Sequence, residues 1–297
     1  MICLEAHDWR MEIDALLGAG VAHLSYQGQP VWRDRDPRAS DFAPLQMSCF
    51  PLVPFSNRIF GRRFAFGGQD ICLPLNMPGE PNPIHGTGWT HPWDVVELSE
   101  DACSLAFRHE PGAWPWRFHA VQDVRLGPDG MVMELRLTNE SADIMPAGLG
   151  FHPYFHTGGG CELKFAAKRV WMTTAKAEQS QVTPVPARWD FRQSRPVEGL
   201  VVDHCFSDWD GTALISWPGT GLAVEMTCSP NAHHATVFSP AVDDGAGPGF
   251  FCLEPVTHVS NALNFASPAE AGIEALEPGA TMSLVMQLKA VSPDRQA

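Results

Sequence analysis

Positive charge is scarce in this chain of 297 residues. The 20 Lys and Arg residues are outnumbered by 34 Asp and Glu residues, so the formal net charge at pH 7 is −14. Nucleic acids and anionic membranes attract clusters of Lys and Arg, and an acidic surface repels both. We therefore expect neither a nucleic acid nor a membrane among the partners of this protein.

Long apolar runs and cysteine motifs are missing as well. No stretch reaches the ~18–20 apolar residues that span a bilayer, and the first eight residues lack the basic start and apolar run of a secretory signal. The eight cysteines are scattered, and no pair has the C-x-x-C spacing of zinc ribbons and thioredoxin-type motifs. We expect reduced thiols and a cytoplasmic location.

Metal-ligand motifs are also missing. His152 and His156 have the spacing of two ligands on a helix, but Pro153 and the glycines that follow argue against a helix there. The chain has no H-E-x-x-H, the motif of zincins. It has no H-x-H, which a metal-dependent isomerase of the cupin kind would require. We expect no metal.

The pattern that dominates the chain is alternation of apolar and polar residues with period two, interrupted by Gly and Pro. Such alternation predicts half-buried strands, and turn residues between two of them predict hairpins. Many short strands and no sustained helical stripe favour an all-β sandwich or barrel in a single domain, residues 1–297. The predicted strands are residues 11–17, 21–26, 93–98, 104–109, 121–126, 131–137, 212–217, 222–227, 250–254 and 282–289.

Three segments combine ionisable residues with Gly, Pro and aromatic residues, and they contain His85, His152 and Glu254. Aromatic faces pack on sugar rings, while charged groups bind the hydroxyls. Two histidines and a carboxylate can exchange protons near neutral pH. The alternative is two ordinary turn histidines and a surface carboxylate on an edge strand. Glu254, however, follows the apolar residues 250–253, which favours a buried carboxylate.

Five short motifs, in this order and spacing, resemble the aldose 1-epimerase (galactose mutarotase) family over roughly residues 10–290. Each motif is weak alone, and their combination carries the resemblance. The motifs are Asn57-Arg58-Ile59, His85-Gly86 followed by Trp89, His152-Pro153-Tyr154-Phe155, Gly199 to Phe206 with Asp203, and Glu254-Pro255.

The resemblance implies a large antiparallel β-sandwich, the galactose mutarotase-like supersandwich, with the site in a concave face. It implies an isomerase that interconverts the anomers of a free aldose without a cofactor. Glu254 would be the general base at the anomeric hydroxyl. His152 would be the general acid at the ring oxygen, with His85 hydrogen-bonded nearby.

The resemblance also implies a set of sugar-binding residues. Arg58 and Asp203 would bind hydroxyl groups, with Asn57 beside them, and Trp89 would be a wall of the site. The ligand would be a monosaccharide. The sequence leaves open whether the protein is a monomer or a homodimer.

Opening a sugar ring requires a proton to be removed at one end of the C1–O bond and delivered at the other. Ordinary proton affinities allow an ionised Glu254 and a protonated His152 together only over a limited pH range near neutrality. We therefore predict a bell-shaped dependence of the rate on pH.

Three questions stay open in the sequence. Glu254-Pro255-Val256-Thr257-His258 resembles the broader bacterial branch of the family, so the sugar is not fixed, and His258 either lines the site or bonds locally. A hexose-6-phosphate 1-epimerase would need a cationic pocket, for which Arg62 and Arg63 are candidates or else a solvated pair. A catalytically silent sugar-binding module is the remaining alternative. His233 and His234 are interpreted as a surface pair.

Overall fold

The segments in which apolar and polar residues alternate form β-strands in the structure. The computed structural model describes residues 1–38, 40–172, 181–241 and 249–292. Burial alternates residue by residue along Phe118–Gly127 and Gly130–Asn139, the hairpin predicted around the turn at residues 127–130. The prediction of an all-β protein is confirmed.

The described residues contain 25 strands and five short 3₁₀ turns. The strands are β1 (Ile2–Ala6), β2 (Trp9–Asp14), β3 (Gly20–Tyr26), β4 (Gln29–Pro30), β5 (Pro51–Leu52), β6 (Arg63–Phe66), β7 (Gln69–Cys72), β8 (Asp94–Leu98), β9 (Ala102–His109), β10 (Phe118–Gly127), β11 (Gly130–Asn139), β12 (Met145–Ala147), β13 (Gly150–Phe151), β14 (Tyr154–His156), β15 (Glu162–Phe165), β16 (Arg169–Met172), β17 (Gln181–Pro184), β18 (Arg195–Pro196), β19 (Val202–Ser207), β20 (Thr212–Trp217), β21 (Leu222–Cys228), β22 (His234–Ser239), β23 (Phe250–Val256), β24 (Glu274–Leu276) and β25 (Thr281–Ala290). The 3₁₀ turns are Ala43–Gln46, Phe60–Arg62, Gly88–Thr90, Ala187–Trp189 and Ala262–Asn264.

Two large antiparallel sheets form the sandwich. The nine-stranded sheet has the order β18-β15-β20-β21-β25-β11-β10-β9-β8. The eight-stranded sheet has the order β17-β16-β19-β22-β23-β13-β5, and β14 also pairs with β23. A four-stranded sheet, β1-β2-β3-β4, and two pairs, β6-β7 and β12-β24, complete the fold. Two large antiparallel sheets are the β-sandwich that the resemblance implied.

Strand alternation separates the core from the site within the eight-stranded sheet. Phe206 of β19 packs against Phe165 of the nine-stranded sheet, with ring centroids 5.4 Å apart. Glu254 is opposite Thr236, and Asp203 is opposite Phe238 on the neighbouring strand. Since successive side chains point to opposite faces, these four residues share the face that is turned away from Phe206.

The sequence placed some element ends wrongly. The strand predicted over residues 11–17 ends at Asp14, because the Leu17 amide donates to the Asp14 carbonyl and closes a turn.

All eight cysteines are unpaired, as predicted. No helix in the described residues is long and apolar enough to cross a membrane.

Candidate active site

A cavity of about 270 Å³ lies on the free face of the eight-stranded sheet. This volume is slightly below the roughly 300–1,000 Å³ of pockets for drug-sized ligands, as expected for a smaller ligand. It brings together six of the seven site residues predicted from the sequence. Its wall consists of Arg33, Leu45, Asn57, Arg58, Met77, Ile84, His85, His152, Tyr154, Asp203, Phe238, Phe250 and Glu254. Larger grooves of about 450 and 550 Å³ lie elsewhere and contain no histidine.

Glu254 lies on an inner strand, not on an edge. Strand β23 pairs with β22 on one side and with β13 and β14 on the other. The side chain is 2% exposed, and its Oε1 is 3.4 Å from His152 Nε2. Its Oε2 has no hydrogen-bond partner in the described residues. The alternative of a surface carboxylate is therefore wrong, and one carboxylate oxygen is left for a ligand.

His152 is held between aromatic rings. Its amide donates to the Phe50 carbonyl, and its ring stacks on Tyr154 at 4.6 Å with an interplanar angle of 16°. The centroid of the Phe50 ring lies 4.7 Å from that of the His152 ring. The imidazole is 6% exposed, and in the described part of the chain its Nδ1 has no partner. The ring is thus fixed in orientation while one nitrogen stays free to exchange a proton.

Burial moves both members of the pair toward their neutral forms. It raises the pKa of Glu254 well above 4.5, an effect that Asp203 reinforces and Arg58 opposes. Burial, together with the positive charges of Arg33 and Arg58, lowers the pKa of His152 to about 3. The pair therefore holds one proton between pH 3 and the raised pKa of Glu254, and in the empty site that proton favours the carboxyl group.

Hydrogen bonding fixes the tautomer of His85. The Asn57 amide donates to His85 Nδ1 at 3.1 Å, and the His85 amide donates to the Asn57 carbonyl, also at 3.1 Å. A nitrogen that accepts cannot carry the proton, so Nε2 is the protonated nitrogen. Burial and the nearby His152 lower the pKa of His85 well below 6.5. His85 is a neutral hydrogen-bond donor beside His152, with the ring centroids 5.1 Å apart.

Arg58 is neutralised by two carboxylates. Its Nε donates to Glu80 at 3.0 Å, and its NH1 is 3.5 Å from Asp203. Glu80 is 9% exposed and Asp203 is 45% exposed. Asn57 accepts from the Arg58 amide at 2.9 Å and from Ser260 at 2.8 Å. This network fixes a row of hydrogen-bond donors and acceptors along one side of the cavity.

Trp89 does not line the cavity, so the predicted wall is wrong. The side chain is fully buried and donates to the Ile84 carbonyl at 3.2 Å. It stacks on Phe50 at 5.1 Å and meets the edge of His85 at 5.5 Å. Trp89 packs behind the cavity against His85, which lines it, and against Phe50, which contacts His152, and Trp89 does not line the cavity itself.

Arg62 and Arg63 lie outside the cavity. Both are exposed, and Arg62 Nε donates to the Leu73 carbonyl at 3.2 Å. Gly61 precedes them in a left-handed conformation, so the chain turns here. The phosphate pocket that this pair would have formed is not present at these residues.

The other histidines considered in the sequence lie outside the cavity. His258 Nε2 accepts from the Ser56 amide at 2.9 Å, and its Nδ1 donates to the Val259 carbonyl at 2.8 Å. His258 thus bonds locally and does not line the site. His233 is exposed as predicted, but His234 is buried on β22 and bonded to Ser207, so the surface interpretation was wrong for it.

The family model for aldose 1-epimerase matches residues 3–289. The chain belongs to the aldose 1-epimerase family. The Escherichia coli K12 protein described as uncharacterized protein YphB is 32% identical over 266 residues, which cover 87% of this chain and 90% of YphB. Uncharacterized protein YihR of the same organism is 26% identical over 278 residues, 89% of this chain and 85% of YihR. The resemblance stated from the sequence is confirmed.

Solved structures agree with the aldose 1-epimerase assignment. The crystal structure of a proposed aldose 1-epimerase from Escherichia coli K12 aligns with a TM-score of 0.89 and 28% identity, covering 98% of both chains. A galactose mutarotase-like protein from Clostridium acetobutylicum aligns with a TM-score of 0.80 and 19% identity, covering 98% of this chain and 94% of that one. At that identity the second likeness shows the fold alone.

Sequence reasoning missed several wall residues of this aldose 1-epimerase family member. Arg33 is the most polar of them, and its amide donates to the Tyr154 carbonyl at 2.8 Å. Its position depends on a bridge between Trp32 and Phe155, more than a hundred residues apart. Glu80 was missed for the same reason, because only folding brings it to Arg58. Local sequence carries no signal for such contacts.

Ligand atoms of His152, Cys252 and Glu254 lie within 4.8 Å of one another, a spacing compatible with a metal ion. Metal binding requires a thiolate, but burial and the nearby carboxylate raise the pKa of Cys252 well above 9.0. In the metal-free site the Cys252 thiol is therefore protonated at neutral pH. The absence of a metal stays a prediction.

Proposed function

We propose that this protein is a mutarotase that interconverts the α and β anomers of an aldose. The observation that carries the proposal is the burial of Glu254 and His152 side by side, 3.4 Å apart, in a cavity of monosaccharide size. A buried pair that shares one proton can remove a proton from one oxygen and deliver one to another.

In the proposed reaction the shared proton first passes from Glu254 to His152 once the sugar is bound, and the Glu254 carboxylate then takes the proton of the anomeric hydroxyl. The bond between C1 and the ring oxygen breaks, C1 becomes an aldehyde carbon, and His152 gives its proton to the ring oxygen. The aldehyde rotates about the C1–C2 bond and the steps reverse, so that the two residues exchange roles. The pair has the same number of protons before and after, and no electron leaves the sugar.

The other residues prepare these proton transfers. Arg58 lowers the pKa of Glu254 and so favours the carboxylate that starts the reaction. His85 donates from Nε2 toward the ring oxygen. Asn57 and Asp203 bind hydroxyl groups and hold the sugar in register with the pair.

We further propose a single domain that works in the cytoplasm on a small sugar. The acidic charge of −14 and the eight unpaired cysteines support this location and argue against nucleic acid as a partner.

Polarimetry tests the proposed activity. Freshly dissolved α-D-glucose, α-D-galactose, L-arabinose and D-xylose are followed with and without the protein. We expect faster approach to the equilibrium rotation for at least one sugar. If sugars bind in calorimetry and none equilibrates faster, the protein is a silent binding module and the proposal is wrong.

A further inference from the structure

Arg33 places a positive charge in the cavity wall. Its NH2 donates to the carbonyls of Leu45 at 2.6 Å and Met47 at 2.8 Å. The guanidinium carbon lies 3.7 Å above the ring of Tyr154 and 4.7 Å from that of Phe250. Carbonyl groups and aromatic rings hold the cation in place, but none of them carries a compensating charge.

The charge of Arg33 has no carboxylate partner in the described residues. Arg58, across the same cavity, is paired with Glu80 and Asp203. Burial has the largest effect on the pKa of Arg33 and lowers it, while Tyr154, Cys252 and Asp36 oppose this. Asp36 is the carboxylate among these three, and it is hydrogen-bonded to Arg38. The Nε of Arg33 is buried without a partner in the part of the chain described, and burial lowers the pKa of the guanidinium. Arg33 is half-buried, and a partly desolvated cation without an anionic partner is costly unless a ligand brings the anion.

We propose that Arg33 binds a carboxylate carried by the sugar itself, so that the preferred substrate is a uronic acid, an aldose with a carboxylate at C6. This inference rests on the proposed mutarotase function. Tyr154 is stacked between Arg33 and His152, which places Arg33 one ring beyond the proposed acid at the ring oxygen. In a pyranose the carbon beside the ring oxygen bears C6, so a group on C6 points to the same end of the cavity.

Charge selects a carboxylate over a phosphate. One uncompensated guanidinium matches one negative charge, whereas a phosphate ester carries about −1.5 to −2 at neutral pH. Arg58 is already neutralised, and Arg62 and Arg63 lie outside the cavity. The planar guanidinium of Arg33 also matches a planar carboxylate better than the ammonium of a lysine would.

The test compares kcat/KM for anomer exchange of D-glucuronate, D-glucose and D-glucose 6-phosphate, measured by NMR exchange spectroscopy. For the wild-type protein we expect glucuronate to exceed both other sugars by at least about tenfold, roughly 1.4 kcal/mol. Arg33→Gln should lose that preference, with kcat/KM for glucuronate falling at least about tenfold more than kcat/KM for glucose. Arg33→Lys should keep part of the preference, since it keeps the positive charge but lacks the planar guanidinium.

Arg195→Gln is the matched control. Arg195 also donates to backbone carbonyls, those of Ala187, Arg188 and Asp190, and lies near the Phe191 ring, but outside the cavity. It should leave the preference unchanged. If Arg33→Gln does not fold, kcat/KM of the wild type is measured at low and at high salt instead. High salt should lower the value for glucuronate and leave the value for glucose unchanged.

Two results overturn the inference: a wild-type preference for glucose or for glucose 6-phosphate, or an equal loss for glucuronate and glucose in Arg33→Gln. If no sugar is exchanged, the proposed function fails by itself. Calorimetric binding of glucuronate against glucose, in the wild type and Arg33→Gln, then decides the role of Arg33.

Discussion

At the scale of single residues, burial determines where the proton of the catalytic pair lies. Glu254 and His152 are both nearly inaccessible, so each charged form is disfavoured. Ordinary pKa values of 4.5 and 6.5 would confine the state with one proton to the interval between them. Burial widens that interval in both directions, so we now expect activity over a broader pH range than the sequence indicated.

The pH dependence of kcat/KM should therefore show a broad plateau. On the acid side activity should fall near pH 3, where the pKa of His152 lies and the pair takes up a second proton. On the alkaline side it should fall at the raised pKa of Glu254, where the shared proton is lost. The check is a polarimetric rate profile from pH 3 to 10, and a maximum confined to pH 4.5–6.5 would contradict the effect of burial on the pair.

Glu254→Gln should stabilise the protein increasingly as pH rises. Because the folded pKa of Glu254 is raised, unfolding releases its proton above pH 4.5, and stability falls as pH approaches the folded pKa. A tenfold difference in proton affinity between the folded and unfolded chain corresponds to about 1.4 kcal/mol. Glutamine does not titrate, so the difference in unfolding free energy between variant and wild type should grow from pH 5 to pH 8.

Urea denaturation at several pH values measures this difference. Glu97→Gln is the control, because it makes the same change at a glutamate that is exposed on the edge strand β8 and lies outside the cavity. A pH-independent difference for Glu254→Gln would show that the carboxyl is not held protonated by burial.

At the scale of elements, two left-handed segments form the histidine side of the site. Asn57 has φ 55°, His85 has φ 61° and Gly86 has φ 72°. Asn76 donates to the carbonyls of Ile84 and Gly86 at 2.6 and 2.8 Å, which fastens the second segment. Non-glycine residues in this region are strained, and the reciprocal bonds between Asn57 and His85 stabilise both.

Gly86→Ala should destabilise the fold and remove activity. A Cβ at this position would lie 2.1 Å from the Val53 carbonyl oxygen, so the backbone carrying His85 would have to move. Overpacking and the left-handed conformation together should cost about 3 kcal/mol or more. Denaturation and polarimetry report the two effects separately.

Gly68→Ala is the matched substitution. Gly68 has φ +77°, close to that of Gly86, but nothing lies within 4 Å of its Cβ position. It should cost about 1–2 kcal/mol and leave activity intact. Equal effects at the two glycines would mean that contact with Val53 is unimportant.

The sequence predicts some of these elements well and others poorly. Long strands such as β10 and β11 follow from period two, because each has one buried face. The two-residue strands β5 and β13 have no period to detect. Trp89 was predicted to line the site because its neighbours matched a motif. The packing of Phe50 on both Trp89 and His152 arises only in the tertiary structure, so the motif does not show it.

At the scale of the whole molecule, the sandwich assembles a site from distant parts of the chain. Arg33 follows the first small sheet, while Glu254 lies on β23 near the other end of the sequence. The six recognised site residues could be predicted only because their motifs occur in a family. Arg33 and Glu80 belong to no such motif, and their contacts arise when the sheets pack.

Removal of metal ions should leave the activity unchanged. The proposed proton transfers need only the side chains of the site, so no step depends on a metal ion. The check is polarimetry before and after dialysis against EDTA, with elemental analysis of the same sample. Loss of activity with the chelator and its return with zinc or manganese would contradict this prediction.

The central claim is that Glu254 exchanges protons with the sugar, and polarimetry of wild type and Glu254→Gln on the same aldose tests it most directly. A positioned general base contributes on the order of 10²–10⁴ in rate. We predict a loss of that size in Glu254→Gln, with sugar binding retained in calorimetry and with Glu97→Gln as active as the wild type. A Glu254→Gln variant that equilibrates the anomers as fast as the wild type would contradict the account.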